Sequence, residues 1–448
     1  MNNKKMVPIT QLLDFIVDNR GKSCPTSKTG FPLIATNCIK HSSIYPTFEN
    51  IRYVTEDTLK NWFRAELKPN DILFVNKGTP GRVCLVPDPV NFCAAQDMIG
   101  LRVNKDKVYY KYLFAVLRSE YIQKKIMNYH VGVAIPHFRK SDMDNLLIPI
   151  VDMEKQIAIG DLYVLLSEKI SNNNKINLEL ESLAKTLYDY WFLQFEFPNE
   201  EGKPYKSSGG KMVYNEQLKK EIPECWEVLK VKDLLNVITG KQDSNFATIN
   251  GAYKFFTCSS EVLNCDEYAF EGKAVLLAGN GDFNVKHYQG KFNAYQRTYV
   301  LIPKEEKYFG SIYLATEKLV KKFKAGSNGS IVKFITKGDV ENIEILKPLN
   351  DNLLEQFNLI LKFIEKNKEE NEELTKLRDF LLPLLMNGQV TIQDAEQQVS
   401  NTISSVWNAE KLLRFAQWKQ MQGYAARGAV DEDTLMKIFD AMDKDAKK

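Results

Sequence analysis

The chain repeats itself. DILFVNKG at 71–78 and NFCAAQDMIGLRV at 91–103 return about 200 positions later as KAVLLAGNG at 273–281 and KFNAYQRTYVLIP at 291–303. Gln96 falls opposite Gln296. Asn145, in FRKSDMDNLLIP, falls opposite Asn342, in FITKGDVENIEIL. Each copy then enters a long stretch of heptad-like spacing that closes on a leucine-rich block, LESLAKTLYDYWF at 180–192 and LTKLRDFLLPLLM at 374–386. A repeat of this size is too long for a solenoid unit. It describes a duplicated domain, each copy followed by its own helix.

Within each copy, short β-rich runs alternate with turns and one amphipathic helix. In the first they are ILFV (72–75), VCLV (83–86) and MIGLRV (98–103), followed by a helix over 109–126. In the second they are AVLLAG (274–279) and TYVLIP (298–303), with a helix near 309–324. The fold class expected is therefore α+β. From Leu162 the apolar and polar seam runs Leu166, Lys169, Asn173, Ile176, Leu180, Leu183, Leu187, Tyr190. The second seam runs Leu353, Phe357, Ile360, Ile364, Asn367, Asn371, Leu374. Sustained steps of four and three are the signature of paired helices, and an asparagine within a seam fixes register at a cost in stability. The two helices are expected to pair with each other as coiled-coil spacers and to relate the modules by a pseudo-two-fold axis. One helix of about 38 residues spans roughly 57 Å, more than one turn of B-DNA. Two modules held apart in this way form a ruler, which suits a long repetitive partner such as double-stranded DNA.

The boundaries that follow are 1–150 for the first module, 151–195 for the first spacer helix and 196–221 for a Gly/Pro/Lys/Ser-rich linker. The second module takes 222–349, the second spacer helix 350–390, and 391–448 is a helical extension with no counterpart in the first half. Two helices are expected in that extension, near 406–422 and 431–443.

The net charge of +3 conceals an alternation. Residues 1–150 carry 21 Lys/Arg against 13 Asp/Glu, and 201–350 carry 22 against 18, whereas 151–200 carry 4 against 9. Basic modules alternate with acidic helices, as phosphate contact by the modules would require. Seven cysteines show no C-x-x-C spacing, which fits reduced thiols and an intracellular, cytoplasmic protein. The longest apolar runs are far shorter than a membrane span.

Two strings are specific. YDYWFLQFEFPNEEGKPYKSSGGKMVYNEQLKKEIPECWEV at 188–228 and LRDFLLPLLMNGQV at 377–390 resemble the central and distal regions of Type I restriction-modification specificity subunits. With the duplication, the resemblance covers about 1–390. It implies two target recognition domains, each reading one half of a bipartite, asymmetric DNA site. It implies conserved helices that pair antiparallel, space these domains and dock two methyltransferase subunits, with restriction (motor) subunits completing the complex. It also implies a non-catalytic chain that binds no cofactor itself, S-adenosylmethionine, ATP and Mg2+ belonging to the partners.

Catalytic motifs are missing. No Pro-Pro pair exists to form a methyltransferase Asn/Asp-Pro-Pro-aromatic element, and Ile16 stands where a P-loop beginning before Gly21-Lys22-Ser23 would need glycine. The four histidines lack metal-ligand spacing, and Asp71 and Asp97 read as scattered acids. The alternatives to a DNA-reading scaffold are a fused restriction-modification polypeptide and a coiled-coil interaction protein with no DNA role. Base and phosphate contact calls for Arg, Lys, Asn, Gln, Ser and Thr on loops. In the first module the candidates are Lys77, Thr79, Arg82, Gln96, His137, Arg139 and Lys140. In the second they are Lys241, Asn280, Lys286, His287, Gln296, Arg297 and Lys333. Apolar residues left outside the helix pair, Leu165, Tyr188, Trp191, Leu381, Leu384 and Leu385, are the candidates for docking a methyltransferase.

Overall fold

The computed structural model describes residues 5–19, 23–129, 136–325 and 334–406. These divide into two compact units, one formed by the described residues up to Asn174 together with those from Glu369 onward, the other by Lys175–Lys368.

The first unit begins with strands β1 (Lys5–Pro8), β2 (Leu13–Val17), β3 (Phe31–Ile34) and β4 (Arg52–Val54), then helix α1 (Glu56–Asn61). Strands β5 (Ile72–Val75), β6 (Val83–Leu85), β7 (Cys93–Ala94) and β8 (Met98–Val103) follow. Helices α2 (Tyr110–Arg118) and α3 (Glu120–Asn128) precede β9 (Leu147–Ile150), which leads into the long helix α4 (Met153–Tyr188). The single helix expected over 109–126 is thus two. Ser119 breaks it by turning extended, closing α2 through a hydroxyl bond to Val116 O (2.6 Å) and accepting from Ile122 N (3.4 Å) at the start of α3.

The second unit takes up the end of α4, which passes through a π-helical turn, Asp189–Leu193. It contains β10 (Met212–Asn215), β11 (Lys220–Pro223), β12 (Glu227–Lys230), α5 (Val231–Leu234), β13 (Ile238–Thr239), β14 (Tyr253–Phe256) and β15 (Val262–Cys265). Then come β16 (Phe270–Ala278), β17 (Val285–Ala294), β18 (Thr298–Leu301), α6 (Phe309–Ala325), α7 (Lys337–Glu341) and β19 (Glu344–Lys347). Helix α8 (Asn352–Asn387) starts in this unit and ends in the first, where α9 (Ile392–Val406) follows it.

The duplication is visible in the strand order. The second unit has one six-stranded sheet, β13-β18-β16-β17-β14-β15, and a separate pair, β12-β19. The first has β2-β8-β5-β6, β4-β3-β7 and the pair β1-β9. Joining β6 to β7 turns the first arrangement into the second, down to the parallel pairing of β3 with β7 and of β14 with β17. Pro87 and Pro89 lie between β6 and β7 and cannot donate to a ladder, whereas β17 runs unbroken and proline-free.

Each unit packs its module and its share of the long helices into one apolar core. In the first, Ile72, Tyr112 and Ile148 join Ile159, Leu162 and Leu166 of α4 and Leu374, Leu381 and Leu385 of α8. In the second, Val275, Leu277 and Ile312 join Leu180, Leu183 and Leu187 of α4 and Phe357, Ile360 and Ile364 of α8. Each unit also pairs polar seam residues of the two long helices. In the first unit Asn173 Nδ2 donates to Glu370 Oε2 (3.0 Å) and Asn371 Oδ1 (2.9 Å), and Asn371 Nδ2 donates to Asn174 Oδ1 (2.9 Å). Arg378 donates to Ser167 Oγ (3.2 Å), so α8 runs antiparallel to α4 there. In the second unit Asn367 Nδ2 donates to Asn177 Oδ1 (2.8 Å).

Two segments differ from expectation. The stretch read as a linker, 196–221, is folded: Phe197 stacks on Trp226 (4.8 Å between centroids) and on Tyr205 (4.6 Å), and β10 pairs with β11. Burial of these aromatic rings outweighs the flexibility of the glycines between them. In the extension the described helix is α9, earlier than either expected one. Thr391 caps it, its hydroxyl accepting from Asp394 N (3.1 Å), and Ala395 and Val399 enter the first unit's core. The expected helices near 406–422 and 431–443 lie outside the described residues, save for Val406 at the end of α9.

Glycine permits each module helix to meet a long helix. A Cβ on Gly160 of α4 would stand 2.6 Å from Tyr112 N, and one on Gly310 of α6 would stand 2.5 Å from Phe357 Cβ. Gly160→Ala and Gly310→Ala are each expected to cost about 1–3 kcal/mol in urea unfolding. Gly338→Ala, where a Cβ meets only Thr336 Oγ1 at 3.8 Å, should gain about 0.4–1 kcal/mol. Equal effects at all three positions would contradict the close helix contacts.

Candidate nucleic-acid interface

In the first unit three stretches of chain are tied together by backbone hydrogen bonds. The β5–β6 loop, 76–82, turns on Gly78 and Gly81, both at positive φ. Phe138 N donates to Asn76 O (2.8 Å) and Gly78 N to Pro136 O (3.0 Å), bringing 136–140 against the loop. Asn76 N donates to Asp97 O (3.1 Å), which adds the turn containing Gln96. Lys77 and Thr79 stand exposed at the tip, with Arg139 and Lys140 exposed beside them. Arg82, Gln96 and His137 are half-buried. The loop's base is anchored on α3, where Gln123 Nε2 donates to Gly81 O (2.8 Å).

The second unit repeats this construction. Gly279 N donates to Arg297 O (2.9 Å) and Ile335 N donates to Gly279 O (2.9 Å). The β16–β17 loop therefore meets the turn 296–297 and the segment from 334, as in the first unit. Asp339 accepts from Thr336 N (2.8 Å) just as Asp142 accepts from Arg139 N (2.9 Å). A further segment joins here: Gln296 N donates to Gln242 O (2.9 Å), and Gln296 Nε2 donates to Asp243 Oδ1 (2.7 Å). Glycine is required at 240, where a Cβ would lie 2.0 Å from Ala294 O. That close approach sets Lys241 next to Gln296 and Arg297, all three exposed, with Asn280 half-buried in the loop. Lys333 lies outside the described residues.

Two expected contacts are turned inward. His287 is 5% exposed, its Nδ1 is 2.8 Å from Glu365 Oε1, and its ring packs edge-on against Tyr313. Burial tends to raise the Glu365 carboxyl, but His287 and Lys368 prevail and hold it below the ordinary carboxylate range. His287 fastens β17 to α8 and is not placed to read a ligand. Lys286 Nζ donates to Ser259 O and Asn284 Oδ1 (both 2.5 Å), and burial pushes its ammonium down to about 8. It braces loops. Asp71 is likewise structural, buried and paired with Arg102 (2.8 Å). Among the described residues no group of three His, Cys, Asp or Glu side chains is arranged to hold a metal ion. No described helix is long and apolar enough to cross a membrane.

Four of the six candidate docking residues are core. Tyr188 and Trp191 are 6% and 5% exposed, packed on Phe357 of α8. Leu381 and Leu385 are 1% and 6% exposed, covered within the first unit's cluster that includes α9. Leu165 (44% exposed) remains on the surface and Leu384 is half-buried, with Phe380 (60%) exposed one turn before Leu384. Phe380 is not among the docking candidates read from the sequence.

The two units thus present the same three converging segments of a duplicated α+β module. The chain belongs to the Type I restriction modification DNA specificity domain family, whose profile matches residues 2–182 and again 223–377. It is 35% identical over 205 residues to the Type I restriction enzyme EcoDI specificity subunit of Escherichia coli, a match covering 43% of this chain and 44% of that relative. It is 25% identical over 372 residues to the MjaIX specificity subunit of Methanocaldococcus jannaschii, covering 77% and 83%. Among solved structures, the Type I restriction-modification S subunit from M. genitalium superposes with a TM-score of 0.54 at 18% identity, covering 86% of this chain and 97% of that one. At that identity the likeness speaks for the fold.

The buried leucines generate a prediction. Leu381→Asp places a charge in the core and should cost about 4 kcal/mol or more, lowering the first unit's melting midpoint by roughly 10 °C. Leu165→Asp should leave the midpoint within about 2 °C. Calorimetry showing a stable Leu381→Asp chain would return that side chain to the surface.

Proposed function

We propose that this chain is the specificity subunit of a Type I restriction-modification complex. Each α+β module reads one half of a bipartite, asymmetric duplex site, and the paired helices α4 and α8 set the distance between the halves. The observation that carries this reading is the repeated convergence of three segments in each unit. In both, a hairpin loop, the turn before the next strand and the segment following the module helices come together. They expose Lys77, Thr79, Arg139 and Lys140 in one and Lys241, Gln296 and Arg297 in the other. Lysines and arginines supply phosphate contact, and amide and hydroxyl groups read base edges. In this reading the subunit performs no chemistry. S-adenosylmethionine, ATP and Mg2+ act in the methyltransferase and restriction subunits that it assembles, in the cytoplasm.

Exchanging residues 222–349 for the same region of a relative should change one half of the methylated motif and leave the other intact. Methylome sequencing of a host expressing the chimera with its methyltransferase reads this directly. Loss of both halves would mean that the modules read jointly.

For assembly, the exposed apolar side chains of the helix pair in the first unit, Leu165 and Phe380 with Leu384 beside them, form the docking surface for a methyltransferase helix. Burying each is worth roughly 1.5–3 kcal/mol. The double variant Leu165→Asp, Phe380→Asp is expected to weaken co-purification of a methyltransferase subunit at least about 100-fold while the chain keeps its melting midpoint. Undiminished co-purification would place docking elsewhere.

A further inference from the structure

The second unit holds an exposed turn beside its recognition loops to which the duplicated pattern did not point. Strands β14 and β15 are joined by Thr257–Glu261. Lys286 Nζ donates to the carbonyl oxygens of Thr257 (3.4 Å) and Ser259 (2.5 Å), and Asn284 Nδ2 donates to Cys258 O (2.8 Å). Cys258 Sγ lies 3.5 Å from Arg297 O. The turn is therefore tied both to the β16–β17 loop and to the turn that carries Gln296 and Arg297. Inside it, Ser259 N donates to Thr257 Oγ1 and Glu261 N to Ser259 Oγ, each at 3.2 Å.

These bonds fix the backbone and occupy the Thr257 and Ser259 hydroxyls as acceptors. Ser260 and Glu261 are left exposed, and the Ser260 hydroxyl has no protein partner among the described residues. A short hairpin connection closes on its own turn bonds. It needs no half-buried ammonium beneath it, and desolvating one is costly. The brace matters only if the position of the turn matters.

We propose that Ser260 and Glu261 are base-reading residues of the second unit, and that Lys286 and Asn284 are the positioning residues that hold their turn. The inference rests on the reading of this unit as a half-site reader. The chemistry restricts the target. A carboxylate is repelled by phosphate and accepts without donating, so Glu261 fits DNA only where it reaches an exocyclic amino group on a base edge, cytosine N4 above all. A serine hydroxyl beside it accepts or donates. The corresponding connection in the first unit, between β3 and β4, is longer and is held differently, with Lys40 paired to Glu49 and Asn37 Nδ2 donating to Glu49 O (2.9 Å). This reading position is therefore not duplicated.

The test uses the full chain and a randomised duplex library, sequenced after rounds of selection. Glu261→Gln and Ser260→Ala are expected to relax preference about tenfold at one or two adjacent positions of one half-site and to leave the other half unchanged. Because both side chains are exposed, the melting midpoint should not move. Lys286→Met should relax the same positions, and Lys286→Arg should restore part of the preference, which a purely structural lysine would not do. If the unaltered chain selects two half-sites and the Ser260 and Glu261 variants select the same motif, the turn does not read DNA and the proposal is wrong. If the unaltered chain selects no motif, half-site reading itself falls, and this proposal with it.

Discussion

Everything else in the structure depends on each long helix sharing its hydrophobic core with a sheet module. Tyr112 is fully buried where α2 meets Gly160 of α4, and Phe357 of α8 is fully buried against Gly310 of α6. The helices are not rods with modules tethered to them. Most of the stability of such a helix comes from packing its apolar face and not from helix propensity. Packing a module onto it adds a second apolar face and removes the freedom of the module to swivel. Polar fasteners supplement the contact: Lys111 Nζ and Tyr109 Oη both reach Asp161 in the first unit, and Lys307 reaches Asp351 in the second. His287 and Glu365 do the same from the sheet side. A module built in this way keeps a fixed orientation relative to its helix.

The same sharing explains which parts of the molecule were legible in the sequence. Strand positions such as Ile72–Val75 and Met98–Val103, and the seam from Leu162 to Leu187, are written in local periodicity and lie where that periodicity puts them. The pairing of Gln96 with Gln296 also held as a placement, since each sits two residues before its strand. What failed was the reading of apolar residues outside the seam as free surface. Tyr188, Trp191, Leu381 and Leu385 are outside the seam, but partners far away in sequence or in the extension cover them. Phe357, which packs on Tyr188 and Trp191, lies far outside any local window along the chain. His287 failed for a related reason. Strand alternation turns every second side chain inward, and in a strand buried on one face a histidine points inward as readily as a valine when a carboxylate waits there.

The polar residues in the middle of the helix pair set a different constraint. Asn173, Glu370 and Asn371 are 2%, 2% and 9% exposed, and leucines at such positions would bury more apolar area. Leucines would also pack nearly as well one turn out of step. An asparagine that donates to two partners at once, as Asn173 does, loses both in any other register and leaves its amide unsatisfied, at about 1–3 kcal/mol for each lost partner. The layer thus trades stability for a single alignment.

Duplication with divergence is then concentrated where the framework tolerates it. The sheet order is the same in both units, yet two prolines split one strand of the first into β6 and β7, while the second keeps β17 whole. The β3–β4 connection runs from Ala35 to Ile51, whereas β14–β15 is closed by the five residues Thr257–Glu261. Loops of such different length cannot present the same groups to a partner even when the strands beneath them superpose. The parts that the two units share are those that pack, because a change there disturbs a close-packed core. The variable parts are solvated connections braced from below by a few side chains, among them Gln123, Asn284 and Lys286. Two modules of one ancestry can in this way hold unlike surfaces in equivalent positions.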